Sequence, residues 1–543
     1  MAAETISGGR SGFDYRWLSL GVTTVGSFMS LLDATMVNIG LHTIIDEFHA
    51  DVQDGQWVIT GYTLALSIVI PVSGFLAERI GMKRLYMMTM AMFIMTSVLS
   101  GLAWNLQSLI FFRVLQGLGG GMLQPLGQAI VYSIVTPLER PRFMAMLGLP
   151  ALVGPLLGPT IGGYLVEYAS WRAMFTINLP IGLAGLTLAW LLLKEVAPRR
   201  GARLDLPGFL LSAIAFPSLM LGFTLGSSDG WTALETEICL VVGASCLIGW
   251  IVVELVQREP MLDLRLFVHP TFRVSVILTF VMMLSLFGTQ FLLPLFLQTV
   301  QGLGPLESGL ILVPQGIASF ASLTLSGRLY NRVGPRVLVI GGLAVMAVAT
   351  WQLGHLGVGT SHAFISFLAM LRGFAIGCCF MPNQTAAFNT VPREKIARAP
   401  ALYNGLQRLF SSFSTAFLAT ILNSRTIFHY NVIATAMTPD RPAVQELAAR
   451  VRMALALNGP PSRADQARVT AAMVRLSVRQ SAAVMAFNDA FLTLTGACAV
   501  AACLGCCWMT HCSERRSGVV EGMARHRSRR RAPGIERVEP WCP

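Results

Sequence analysis

Fourteen long apolar segments divide this chain, and Lys and Arg crowd only every second connection between them. The segments lie near residues 17–41, 55–77, 85–104, 106–134, 143–168, 174–193, 206–226, 235–257, 272–299, 307–327, 336–355, 360–387, 400–422 and 486–510. Backbone amides in lipid must be satisfied within their own segment, so the expected fold class is an all-α polytopic membrane protein with 14 transmembrane helices. No run alternates apolar and polar residues at barrel length, which excludes a membrane β-barrel. Only 13% of the 543 residues are charged, about half the fraction usual in soluble domains.

The net charge of +12 invites a nucleic-acid reading, which its distribution rejects. One set of connections, 42–54, 104–106, 227–234, 300–306 and 356–361, holds no Lys or Arg; Arg172 is the exception among the short ones. The other set holds Arg79, Lys83 and Arg84, then Arg140 and Arg142, then Lys194, Arg199, Arg200 and Arg203. It continues with Arg258 and Arg265, with Arg328, Arg332 and Arg336, and with Arg393, Lys395 and Arg398. Cytoplasmic loops retain basic residues, so both termini are expected in the cytoplasm of a protein in the inner (plasma) membrane. The first 16 residues are polar and the first apolar run is full length, the pattern of an anchor rather than a cleaved signal. Residues 511–543 form a basic tail, expected to be solvated. The ten cysteines lie mostly inside spans and read as small buried hydrophobes; no metal site is expected.

The chain repeats itself. Gly74, Leu76, Arg79, Gly81 and Lys83 match Gly327, Leu329, Arg332, Gly334 and Arg336 at one offset of 253 residues. Arg113 and Met122 are echoed by Arg372 and Met381. Parallel repeats of six helices imply two bundles with a site between them. The expected organisation is a cytoplasmic N-terminus (1–16), a first six-helix bundle (17–193), and a linker with two inserted helices (194–257). A second bundle (258–510) and the tail (511–543) follow. Within the second bundle, 423–485 is an external segment with two short amphipathic helices, since Val444, Leu447, Val451 and Leu455 share one face and Val469, Met473 and Leu476 another.

Asp33 is the one carboxylate well inside a span; Glu254 and Asp489 lie near span ends. Asp33 and Arg113 each fall about 10–12 Å below the external surface, at 1.5 Å of rise per residue. Charges at such depth are costly, and they are paired or face a cavity. Low dielectric favours a neutral acid and a neighbouring guanidinium favours the charged one, a balance suited to a proton carrier. The loop Gly74, Glu78, Arg79, Gly81, Lys83, Arg84 joins two helices on the basic side. It is expected to act as a latch, with Glu78 and Arg79 pairing or capping helix ends. In the fifth span, Gly154-Pro155, Gly158-Pro159 and Gly162-Gly163 predict a kinked helix packed closely at the boundary between the halves.

These motifs resemble the major facilitator superfamily, in its fourteen-helix drug:proton antiporter branch of EmrB/QacA type. The residues that carry the resemblance are Leu32-Asp33-Ala-Thr35-Met-Val37-Asn38, Gly74–Arg84, Leu109-Ile-Phe-Phe-Arg113-Val-Leu-Gln116-Gly117, Gly154–Gly163, Trp171-Arg172 and Asn178-Leu-Pro180-Ile-Gly182. Asn404 and Arg408 also fit. His42, Glu78 and Pro150 depart from the pattern, and the thirteenth span lacks the extra acids of relatives that export dications. The resemblance implies proton coupling through Asp33 and Arg113, a loop latch and an antiporter helix.

The expected function is therefore proton-coupled efflux of toxic compounds by alternating access, with no enzymatic activity and no cofactor beyond the proton gradient. An importer or facilitator of a small nutrient on the same fold is the alternative, disfavoured by the fifth-span motif. No G-x-x-x-x-G-K-[ST] loop occurs, which disfavours an ATP-driven pump. Sparse polar residues, Asn38, Gln116, Gln124, Gln290 and Asn383, are candidates to contact substrate among abundant Met and Phe. The expected partners are small hydrophobic or amphipathic compounds, membrane lipid, and a periplasmic adaptor with an outer-membrane channel; nucleic acid is not expected.

Overall fold

A computed structural model describes residues 15–136, 138–195, 205–257, 260–392, 396–436 and 463–529, with isolated positions between 437 and 462. Among the described residues every regular element is helical. In order they are α1 (Tyr15–Phe48), α2 (Val52–Ile80), α3 (Met82–Gly101), α4 (Leu106–Ile134), α5 (Arg140–Leu147), α6 (Leu149–Tyr168), α7 (Ala173–Thr176) and α8 (Asn178–Leu192). Then come α9 (Leu206–Ser228), α10 (Leu234–Val256), a 3₁₀ turn (Leu264–Val268), α11 (Pro270–Thr299), α12 (Pro305–Leu353), α13 (His362–Asn389), α14 (Arg398–Ala436) and α15 (Arg463–Arg529). Nine helices among the described residues are long and apolar enough to cross a membrane. Residues such as Val241, Ile248 and Val252 leave their side chains on the outer face, as expected where the solvent is lipid.

Local chemistry sets the breaks. Asn105 opens α4 with a reciprocal cap: Ser108 N donates to Asn105 Oδ1 at 2.7 Å, and Asn105 N to Ser108 Oγ at 3.2 Å. Pro150, near the start of α6, lacks an amide donor and separates α6 from α5. Gly81 between α2 and α3 has φ +101°, and its repeat mate Gly334, which bends α12 in two, has φ +85°. Both turns need a residue without Cβ at the same repeat position.

The elements α1–α4, α6 and α8 pack on one another, as do α11–α15, while α9 and α10 pair and α9 leans on α2 and α14. At the end away from the basic loops the two groups keep separate cores. One holds Leu32, Met36, Val37, Leu106, Trp171 and Phe175; the other holds Leu284, Leu292, Phe296, Leu353, Leu368 and Phe491. At the basic end a single cluster joins Phe75, Tyr86, Met122 and Phe143 to Leu323, Met381, Phe388 and Tyr403. The molecule is closed at its basic end.

One expectation needs correction. The second of the two short helices expected within 423–485 is instead the start of a long one: α15 starts at Arg463 and takes in Val469–Leu476, while α14 continues to Ala436. No Gly or Pro interrupts residues 463–495, so nothing stops the helix. The Val444–Leu455 face lies largely outside the described residues. The same helix runs on into the basic tail as far as Arg529.

Candidate functional site

The first six-helix group converges on one carboxylate. Asp33 on α1 is fully buried, and so, to within 1%, is Arg113 on α4. Arg113 Nη1 donates to Asp33 Oδ2 at 2.5 Å. Gln116 Nε2, one turn further along α4, donates to Asp33 Oδ1 at 3.1 Å, and Asn178 Nδ2 on α8 donates to the same oxygen at 2.9 Å. Asn178 also donates to Ser97 Oγ on α3 at 3.0 Å, and Ser97 Oγ donates to the Phe175 carbonyl at 2.8 Å. The carboxylate is thus met by one full charge and two amide N–H groups, the level of compensation that a buried ion requires.

The guanidinium holds further acceptors. Nη1 also reaches Gln116 Oε1 at 2.8 Å, and Nε donates to the Val58 carbonyl on α2 at 3.2 Å. Its carbon sits 4.0 Å from the Tyr62 ring centroid and 5.6 Å from that of Phe175, within cation–π range. Tyr62 in turn contacts Ser30 Oγ at 3.3 Å. Arg113 therefore keeps two neutral acceptors and two aromatic faces whatever the charge of Asp33. Tyr62, Ser97 and the Val58 carbonyl are not singled out by the sequence, and Asn178 is marked there only as part of a family motif, with no contact to Asp33.

The repeat does not duplicate this pair. Arg372 on α13 is fully buried, and its Nη2 donates to Ser285 O at 2.8 Å and Ser285 Oγ at 3.0 Å. Its Nη1 donates to Thr350 Oγ1. No ion pair holds it among the described residues.

The glycines of α6 lie against the Asp33 turn. Gly154 faces Leu31, Gly158 faces Thr35 and Gly162 faces Met36, so an added methyl at Gly158 would collide with the Thr35 hydroxyl. Thr35 Oγ1 donates to the Gly154 carbonyl at 3.2 Å. The glycine stripe thus packs on α1, within its own group, while α6 also contacts α12 of the other group, at the boundary where it was expected. The other boundary residue, Gly163, has open space around it. Pro155 and Pro159 belong to α6, but their side chains lie outside those described.

The loop residues divide their contacts. Glu78 forms a two-pronged pair with Arg398 at the start of α14: Nε to Oε1 at 2.9 Å and Nη2 to Oε2 at 2.6 Å. Gly74 lies against the same backbone, where a Cβ would sit 2.7 Å from the Ala397 carbonyl. Arg79 is exposed and is not the partner of Glu78, because adjacent helical residues point about 100° apart. Gly81 packs on Glu195, whose oxygens accept from Lys83 N and Arg84 N at 3.3 Å each. Lys83 Nζ donates to the Trp190 carbonyl at 2.6 Å. Further bonds join the two groups at this end. Arg140 Nη1 donates to Asn389 Oδ1 at 3.1 Å, Asn331 Nδ2 to Leu138 O at 2.6 Å, and Asn404 Nδ2 to Gln128 Oε1 at 2.8 Å.

The five polar candidates for substrate contact do not meet. Asn38 and Gln290 are exposed and Gln124 is half-buried. Gln116 belongs to the Asp33 network. Asn383 is buried and donates to Ser275 O and Thr279 Oγ1, both at 2.9 Å.

A compensated charge pair inside an apolar helical bundle is a candidate functional site, and the long apolar helices make this chain a multi-pass membrane protein. Residues 23–415 match the Major Facilitator Superfamily, and the chain belongs to that family. It is 32% identical over 432 residues to the multidrug resistance protein B homolog of Mycobacterium tuberculosis, covering 78% of this chain and 80% of that one. It is 31% identical over 428 residues to the multidrug export protein EmrB of Escherichia coli, covering 78% and 83%. Its fold is similar to that of the human organic anion transporter MFSD10, with a TM-score of 0.58 at 13% identity over 90% of this chain and 99% of that one. The proton:xylose symporter XylE gives 0.55 at 16% identity, over 76% and 90%.

Proposed function

We propose that this protein exports hydrophobic or amphipathic toxic compounds in exchange for protons, by alternating access across the inner membrane. Fourteen spans form two six-helix bundles with α9–α10 inserted between them, both termini lie in the cytoplasm, and the basic end is the cytoplasmic gate. The observation that carries the reading is the buried Asp33–Arg113 pair. The names of the relatives, a multidrug export protein and a multidrug resistance protein, support the substrate class.

The mechanism follows from the bonding. With the cytoplasmic gate closed, a proton arriving from outside neutralises Asp33. Arg113 then gives up its charged acceptor and relies on Gln116 Oε1, the Val58 carbonyl and the Tyr62 ring. The freed α1 shifts against the glycine stripe of α6, and the gate contacts break. Release of the proton to the cytoplasm restores the pair. One charge crossing 100 mV supplies about 2.3 kcal/mol per proton. In inside-out vesicles, acidifying the lumen should drive uptake of lipophilic dyes; uptake that ignores the pH gradient, or that needs ATP, would refute the reading.

The external segment 423–485 serves a periplasmic adaptor and outer-membrane channel. Replacing residues 435–480 with a short Gly/Ser linker should leave transport in proteoliposomes intact and abolish resistance in cells. Equal loss in both assays would count against the adaptor.

A further inference from the structure

Outside the Asp33 site the bundle holds another fully buried acid, Glu254, in the last turn of α10. No ion pair engages it among the described residues. Its oxygens accept from one backbone amide, Leu262 N, at 3.1 and 3.2 Å, and Oε1 also accepts from Trp250 Nε1 at 3.1 Å. The charges of Asp205 and Arg398 act on it without touching it. Residues 260–263 form a strap with Met261 and Leu262 wholly buried in the cluster that joins the two groups. The strap carries the Pro260 carbonyl, which accepts from Arg398 Nη1 at 2.7 Å. The other two nitrogens of that guanidinium, Nε and Nη2, hold Glu78 across the boundary along one edge.

We propose that the inserted pair α9–α10 is a working part of the gate at the basic end, in which Glu254 pins the strap whose Pro260 carbonyl aims Arg398 at Glu78. A guanidinium is a flat fork, and a two-pronged carboxylate contact requires its plane to be fixed. The Pro260 carbonyl fixes that plane from the third side. The strap can present this carbonyl only while its buried Leu262 N–H has an acceptor, and Glu254 supplies it. Glu254 is a positioning residue that acts on the latch through two intermediaries. This inference rests on alternating access at the basic end, and its test reads the gate rather than export.

The reporter is Ala145→Cys, a buried gate position against Gly327, in a cysteine-free background. Inside-out vesicles are labelled with a membrane-impermeant maleimide. Glu254→Ala should speed labelling about five-fold, the scale of coupling that residues remote from a ligand exert. Glu254→Gln, which retains an acceptor oxygen, should stay close to the parent. With Glu78→Gln the latch is already broken, so adding Glu254→Ala should change nothing further. A residue that merely stabilises the fold would add the same factor in both backgrounds, and that result overturns the proposal. So does parent-like labelling of Glu254→Ala. If Glu254→Ala does not accumulate, Glu254→Asp is read instead: faster labelling supports the proposal and an unchanged rate overturns it. A parent that exports nothing would count against the proposed function and leave this measurement readable.

Discussion

Asp33 and Arg113 each depend on the other for charge balance, but they fail differently. Asp33→Asn keeps the shape and the contacts to Gln116 and Asn178 while removing the titratable group. It should insert normally and lose proton-driven export entirely, read as dye uptake under a pH gradient against protein level in the membrane. Arg113→Ala strands a carboxylate, and breaking a buried pair from one side costs about 3–5 kcal/mol. Arg113→Lys retains a cation without the fork and should keep measurable transport, while Arg113→Ala should keep none; equal activity of the two would separate Arg113 from coupling. Both charges are legible in the sequence because an ion in an apolar run must find a partner or face a cavity. Tyr62 is not, since a Tyr in a helix has ordinary structural uses; Asn178 stands in a motif, but its bond to Asp33, 145 residues away, has no local signature. The partner of Glu78 is hidden for another reason: Arg398 lies 320 residues away, and no local pattern announces it.

At the scale of elements, α6 and the outer end of α1 make distinct demands. Gly158 touches Thr35, only two residues past Asp33, so Gly158→Val must push α1 away or fail to pack. Overpacking costs about 1–3 kcal/mol. The variant should lose most transport while still folding, whereas Gly163→Ala, in open space, should be neutral; comparable loss in both would remove the stripe from the mechanism. Beyond the span, Glu47 accepts from Arg172 Nη1 and Trp171 Nε1 at 2.6 Å each. The Arg172 hydrogen bond chiefly, then Trp171 and the Arg172 charge, hold its carboxyl below the ordinary 4.5 against the opposing pull of burial. A depressed carboxyl stabilises the fold above its unfolded value and loses that contribution as pH falls through the folded value. The melting-temperature gap between the parent and Glu47→Gln should thus be full at pH 7 and shrink below about 4.5. A gap that is constant with pH would contradict it. The small-residue spacing of α6 is plain in the sequence; its partner helix is not, because a glycine stripe states closeness and not to what.

At the scale of the molecule, one shared core at the basic end and two separate cores at the other define a gate that is shut on one side. The helical class, the basic-end asymmetry and the repeat were all legible, because lipid imposes length and charge rules on every segment. The repeat even carries its positive-φ glycine into both halves. The state of the gate was not legible, since both states use the same helices and differ only in contacts between distant segments. Glu78→Gln should loosen the closed end by cutting the two-pronged contact to Arg398. Spin labels across α2 and α14 at that end should then show a larger share of long distances; an unchanged distribution would leave the latch without a role.

The central claim is that protons enter the transport cycle through Asp33. Purified protein in liposomes with an entrapped pH indicator offers the direct measurement: proton movement opposite to the flow of a transported dye, for the parent and for Asp33→Asn. The account predicts stoichiometric counterflow in the parent and none in Asp33→Asn, at equal amounts of folded protein. Proton counterflow in Asp33→Asn at the parent rate would contradict it.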